Sequence, residues 1–246
     1  MASDPRDHGP KSIHASAVGY RDLIADLDHA GCPVCRGASR SAWRLIDSIL
    51  WESVNDPATR LRLRASHGFC REHLYMGAKV ASSQAGGLGI AILLEDFLAH
   101  VALEAVQLSE HPGRRARGRN GGALSTHGSC MACVSEDQIA FNYLTILSSV
   151  DEPDQVAIAI RRPDRGLCVP HLAQGFTWFP RSEARRRLVD IFLRSNERLR
   201  GDLAGFIRKH DYLNRDEGMT EREREALPRA IVQLVGAPKP TALPRR

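Results

Sequence analysis

The sequence predicts an all-α fold built from two similar helical units, and three observations carry that prediction. Apolar residues recur at spacings of three and four through the longer segments, the period of a helix with one buried face. Few strand signals interrupt them. All six cysteines fall into two sets of identical internal spacing. The first is Cys32, Cys35 and Cys70, followed by His73; the second is Cys130, Cys133 and Cys168, followed by His171. Each set reads C-x2-C-x34-C-x2-H, and each position of the second lies 98 residues after its counterpart. One C-x2-C arises easily by chance. Three spacings reproduced without error indicate an internal duplication.

Other positions agree at the same offset. Gly68 meets Gly166, Trp43 meets Phe141, Ile46 meets Leu144, Ile49 meets Leu147 and Asp56 meets Asp154. The chain therefore divides into a disordered N-terminus (1–17), a first repeat (18–110), a Gly/Arg-rich linker (111–125), a second repeat (126–210), and a C-terminal short helix and tail (211–246).

The elements of the first repeat follow in order. Trp43, Ile46, Leu50 and Val54 place a helix over 36–54. "NDP" at 55–57 ends it, with Asp56 as an N-cap and Pro57 at the first position of a shorter helix running to about Ser66. Gly68 stops that helix by adopting positive φ. A third helix starts near Cys70 and carries His73 on its first turn. After "SSQAGG" at 82–87, a long helix runs to about Glu110 with an apolar stripe of Leu93, Phe97, Val101, Ala105 and Leu108. "GGLG" at 86–89 lacks the strand and the lysine of a phosphate loop and reads as a hinge where this helix starts. The matching helix of the second repeat offers Leu188, Phe192, Ser195, Leu199 and Leu203. Ser195 departs from the stripe and marks a close helix approach or an exposed edge. "EGMTERERE" at 217–225 contains a capping box, Thr220-x-x-Glu223, ahead of a last short helix.

The cysteine spacing suits a metal. A C-x2-C pair turns two thiolates toward one ion, and Pro33 in "CPVC" shapes that turn. A C-x2-H pair does the same from the first turn of a helix. The 34 intervening residues are read as two antiparallel helices that bring the chain back to its start, so each set closes its own site. Three thiolates and one imidazole complete a tetrahedral Zn2+ shell of the structural kind, with no position left for a catalytic water. Two Zn2+ per chain are expected. An iron–sulfur cluster is the alternative occupant of the same donors. Arg36 and Arg71 flank the first set and Val134 and Val169 the second, so the two sites are expected to differ in charge.

Other features bear on function more weakly. No run of about 18 apolar residues predicts a membrane span. The N-terminus has no apolar signal core, so a cytoplasmic protein with reduced thiols is expected. The net charge of +5 and pI near 9.1 allow acidic partners without requiring them. "GRRARGR" at 113–119 reads as a solvated linker. His67 and His127 do not correspond at the 98-residue offset and read as exposed loop residues. His100 and Glu104, one turn apart beside Glu95 and Asp96, read as a polar helix face.

"CPVCR", "SILWESVNDPATRLRLRASHGFCREH", "GLCVPH" and "RKHDYLNRDEG" together resemble the bacterial family of uncharacterised proteins DUF6062, over about 20–235. The resemblance implies that the eight cysteine and histidine positions form a metal set; it implies no reaction. "CMAC" lacks the proline of "CPVC", and "KHDY" at 209–212 reads as a helix end docked on the core. The expectation is a zinc-binding helical interaction or regulatory module with a protein partner, without a catalytic constellation. An iron–sulfur redox protein or enzyme and a nucleic-acid-binding protein are the alternatives, in that order.

Overall fold

Local chemistry sets several of the helix limits in the computed structural model, which describes residues 17–83, 87–110, 130–151, 153–180, 182–214 and 216–239. The helices are α1 (Ala17–Leu27), α2 (Pro33–Trp51), α3 (Pro57–Ala65), α4 (Arg71–Ser83), α5 (Leu88–Glu110), α6 (Met131–Ser149), α7 (Gln155–Ala159), α8 (Val169–Trp178), α9 (Ser182–Lys209), α10 (Glu221–Arg224) and α11 (Ala226–Val235), with a 3-10 turn at Tyr212–Asn214. Among the described residues there is no β-strand, only an isolated bridge between Gly31 and Arg165. The fold is all-α, as the periodicity predicts. The expected N-terminal disorder, the Gly/Arg-rich linker, His127 and the end of the tail lie outside the described residues.

The caps follow side-chain chemistry. Asp56 accepts the backbone N–H of Thr59 at 2.7 Å ahead of Pro57, starting α3. Its 98-residue counterpart Asp154 accepts the N–H of Val156 at 2.7 Å ahead of α7. The same carboxylate receives the Tyr20 hydroxyl at 2.8 Å. Gly68 ends α3 at φ +84°, where a side chain is disfavoured. Thr220 and Glu223 form the predicted capping box. Gly89, in the first turn of α5, packs so close to the Leu50 carbonyl that a Cβ there would overlap it. At Gly89 the expected hinge is therefore a close backbone-on-backbone approach.

The chain forms two compact units that interleave along the sequence. Among described residues, one unit takes 17–38 and 137–238; it is called the split unit. The other, the middle unit, takes 39–136 and Lys239. The boundaries fall inside α2 and inside α6, so each helix contributes to both units.

The split unit is centred on Leu23, Leu27, Val34, Tyr143, Leu144, Leu147, Val156, Leu167 and Leu188. Tyr143 is buried, and its hydroxyl donates to buried Asp26 at 2.7 Å, which satisfies both polar groups. The start of α2 approaches α6 closely enough that a Cβ at Gly37 would overlap the Tyr143 ring. Helices α10 and α11 pack on α9, fixed by a charge network. Arg222 reaches Asp164 at 2.9 Å and Asp202 at 3.1 Å, and Arg229 pairs with the same two carboxylates.

The middle unit is centred on Trp43, Ile46, Leu50, Leu63, Phe69, Met76, Val80, Leu93 and Phe97. Along the expected stripe of α5, burial fades after Phe97 among the described side chains. Leu93 and Phe97 are buried, Val101 is half-buried and Ala105 is exposed. Ser41 and Ser135 join α2 to α6 through their hydroxyls at 2.6 Å.

Candidate metal centres

Each unit gathers four metal-ligating side chains, and the grouping crosses the repeats. Cys32 and Cys35 come together with Cys168 and His171; Cys70 and His73 come together with Cys130 and Cys133. The expectation that each repeat closes its own quartet is corrected. The spacing predicts two matched antiparallel helices between the blocks; the helices are not matched, with 19 residues in α2 and in α6 but nine in α3 and five in α7, so at about 1.5 Å per residue the shorter helix of each pair cannot retrace the longer.

In the split unit, two loop–helix junctions are laid side by side. Gly31 N–H donates to the Asp164 carbonyl at 2.6 Å and Gly166 N–H to the Gly31 carbonyl at 3.4 Å. Arg165 reinforces the pairing by donating to the carbonyls of Leu27 and Asp28 at 3.0 and 2.8 Å. The cysteines that follow these glycines then face each other at the N-terminal ends of α2 and α8. The Cys35 and Cys168 sulfurs are 3.6 Å apart, and His171 Nδ1 lies 3.6, 3.3 and 3.0 Å from Cys32, Cys35 and Cys168. The N–H of Ala237 points at the Cys35 sulfur at 3.5 Å. All three cysteines are buried.

In the middle unit, the Cys70 and Cys133 sulfurs are 3.7 Å apart, and His73 Nδ1 lies 3.2, 3.6 and 3.4 Å from Cys70, Cys130 and Cys133. The other ring nitrogen of His73 is fully buried and faces Glu136 Oε1 at 3.3 Å, without the alignment of a hydrogen bond. Glu136 in turn pairs with Lys239. A carboxylate behind a histidine ligand orients the ring and raises its basicity. Glu136 stands three residues after Cys133 on α6, one turn along the same face, a spacing that reveals it once the crossed grouping is known. Lys239 carries no such signal.

Both quartets show the same ionisation pattern. Burial favours neutral imidazoles, yet the facing sulfurs, with Glu136 in the case of His73, hold His73 and His171 at about 10. Hydrogen bonding from Cys133, against burial, holds Cys130 down at about 3. Cys35 is likewise well below the ordinary thiol range through hydrogen bonds from Cys168 and Cys32. Burial raises Cys32, and the hydrogen bond to Cys130 raises Cys133. A divalent cation would displace the remaining protons and be held by the resulting negative charge.

Crossing also corrects the expected charge asymmetry. Arg36 follows Cys35 and Val169 follows Cys168; Arg71 follows Cys70 and Val134 follows Cys133. Each centre therefore has one arginine and one valine beside its cysteines. Pro33 and Pro170 both shape the split-unit centre.

Ser195 resolves as a close approach. A Cβ on Gly166 would overlap the Ser195 side chain. Its counterpart at the 98-residue offset is Phe97, which lies against Gly68 in the middle unit. Where the smaller serine stands, a cavity of about 260 Å³ opens beside Cys32 and Cys168, bounded on the far side by Arg229, Val232 and Gln233.

A third gathering involves residues read from the sequence as surface. His67 is half-buried, at φ +52°, and its Nε2 lies 2.7 Å from Glu104 Oε2; His100 Nε2 lies 3.4 Å from Glu104 Oε1. The reading of His67 as an exposed loop residue is corrected by this contact. "KHDY" ends α9: Lys209 pairs with Glu223 at 2.7 Å and donates to the Gly218 carbonyl at 3.0 Å.

Among the described residues, no helix is long and apolar enough to cross a membrane. No match to the chain was found among curated proteins or among solved structures. A family model does match, over residues 25–240, and it spans both C-x2-C blocks and both C-x2-H blocks: the chain belongs to the family of unknown function DUF6062.

Proposed function

We propose that each quartet holds one structural Zn2+, and that the protein is a two-zinc helical module that presents a surface to a protein partner. The observation that carries this reading is the donor spacing. A tetrahedral zinc with Zn–S bonds of about 2.3 Å and a Zn–N bond of about 2.05 Å has S···S edges of about 3.8 Å and S···N edges of about 3.6 Å. The S···S contacts are 3.6 and 3.7 Å, and the S···N contacts run from 3.0 to 3.6 Å. All four donors of each quartet lie within 4.8 Å of one another, a shell for one ion. A four-iron cluster seats each cysteine on a different iron and needs its ligands farther apart.

Four protein donors fill a zinc shell, so the ion holds structure and offers no position for substrate. Six free cysteines suit a reducing compartment such as the cytoplasm. The crossed grouping, with the constant offset of 98, fits a duplicated unit whose copies exchanged their C-x2-H blocks. Nucleic-acid binding is less favoured, because Arg187, Arg208, Arg222 and Arg229 are each engaged by carboxylates, which lowers the positive potential of those faces.

Elemental analysis of protein purified without oxygen tests the reading. At least two zinc ions per chain, two of them held by the cysteines, and no visible colour are expected. Iron with absorbance near 400 nm, or protein that holds no metal while folded, would overturn it.

A further inference from the structure

His67, His100 and Glu104 converge from two elements of the middle unit. His100 and Glu104 are one turn apart on α5, so their side chains share a face. His67 arrives from the end of α3, where it and Gly68 are consecutive left-handed residues. That conformation is unfavourable for a side-chain-bearing residue by about 1–2 kcal/mol, and it directs the imidazole onto Glu104. The two rings are stacked with centroids 6.1 Å apart. One nitrogen from each ring and a carboxylate oxygen all lie within 4.8 Å of one another.

We infer that these three residues form a third metal site, open to solvent, for a late first-row divalent cation such as Zn2+. Two imidazoles and a carboxylate are a donor set that leaves a position for water. The side chains are 18%, 31% and 28% exposed, so the remaining coordination positions face solvent and the ion exchanges. Borderline nitrogen donors select against Ca2+ and Mg2+, which take oxygen ligands. Arg60 and Arg64 are turned onto Asp96, one turn before His100 on α5. At the 98-residue offset the three positions are Arg165, Arg198 and Asp202, so the split unit has no counterpart to this site.

The site does not depend on what the cysteines hold, and the test separates the two. The full chain is equilibrated at buffered free Zn2+ and its bound zinc counted, for wild type, His100→Gln and Glu104→Gln. One ion beyond those held by the cysteines is expected in wild type. Each variant should weaken that ion by more than the roughly 10–100-fold that loss of an outer-shell partner costs, with the cysteine-held count unchanged as the control for folding. Co2+ added to zinc-loaded protein should give d–d absorbance without thiolate charge transfer. Absence of the extra ion in wild type would overturn the site, as would its retention with equal affinity in both variants. A low cysteine-held count with a normal histidine-dependent ion would overturn the structural-zinc reading alone.

Discussion

Cys70 shares a proposed repeat with Cys32 and a candidate metal centre with Cys130, and paired cysteine-to-serine substitutions tell the two groupings apart. Each quartet contributes three thiolates and one Nδ1 within 4.8 Å. Loss of one sulfur opens a tetrahedron that has no spare protein donor in the quartet. Structural zinc contributes an apparent 10–16 kcal/mol or so in small peptides, against a whole-domain stability of about 5–15 kcal/mol. Losing one ion is therefore an effect on the scale of one unit's entire stability. Cys70→Ser alone should remove one ion and loosen the middle unit. Adding Cys130→Ser strikes the same centre, so the count should stay at one ion and little further stability should be lost. Adding Cys32→Ser instead strikes the split unit, so both ions should leave. Residues acting on one site are non-additive, whereas distant sites add. Elemental analysis gives the counts, and thermal unfolding followed by circular dichroism gives the losses. If Cys32/Cys70 keeps one ion while Cys70/Cys130 loses both, the crossed grouping is wrong and each repeat closes its own site.

Three further predictions concern the surroundings of the centres. Glu136→Gln removes the carboxylate behind His73 and should weaken the middle-unit ion by about 10–100-fold, leaving the split-unit ion unchanged in a competition with a chromophoric chelator. Gly166→Ala places a methyl group against Ser195 and should cost about 1–3 kcal/mol of overpacking, read as a lower melting temperature and faster zinc release from Cys168; melting equal to wild type would contradict the close approach. Asp96 is held below its ordinary 3.8 by Arg64, against burial, with Arg60 assisting. Its contribution to stability is present above pH 3.8 and is lost as pH falls through its lower folded value. Asp96→Asn should thus destabilise by about 1–3 kcal/mol at pH 7 and by progressively less below pH 4; a pH-independent difference would show that the ion pair is not the cause.

Local structure was legible because its causes are local. Asp56 before Pro57, Gly68 after α3 and the Thr220–Glu223 box are decided by a few neighbouring groups, and each appears where the sequence places it. The α5 stripe was legible only to Phe97, because periodicity reports which residues share a face and not whether another element covers that face. Helix α11 was expected only as a short terminal element. Its docking depends on Arg229 finding Asp164 and Asp202, contacts 65 and 27 residues away in sequence.

The donor residues were legible and their grouping was not. The offset of 98 says which side chains correspond in sequence, and correspondence is silent on adjacency. Adjacency is set by tertiary packing: α3 has nine residues and α7 five, against 19 in α2 and in α6, so the matched helix pairs expected from the spacing do not form, and each C-x2-H block lies with the C-x2-C block from the other half of the sequence. Neither proposed repeat then supplies a four-donor shell from its own residues, and a chain cut within 111–125 should bind both cysteine-held ions only when its two fragments are present together.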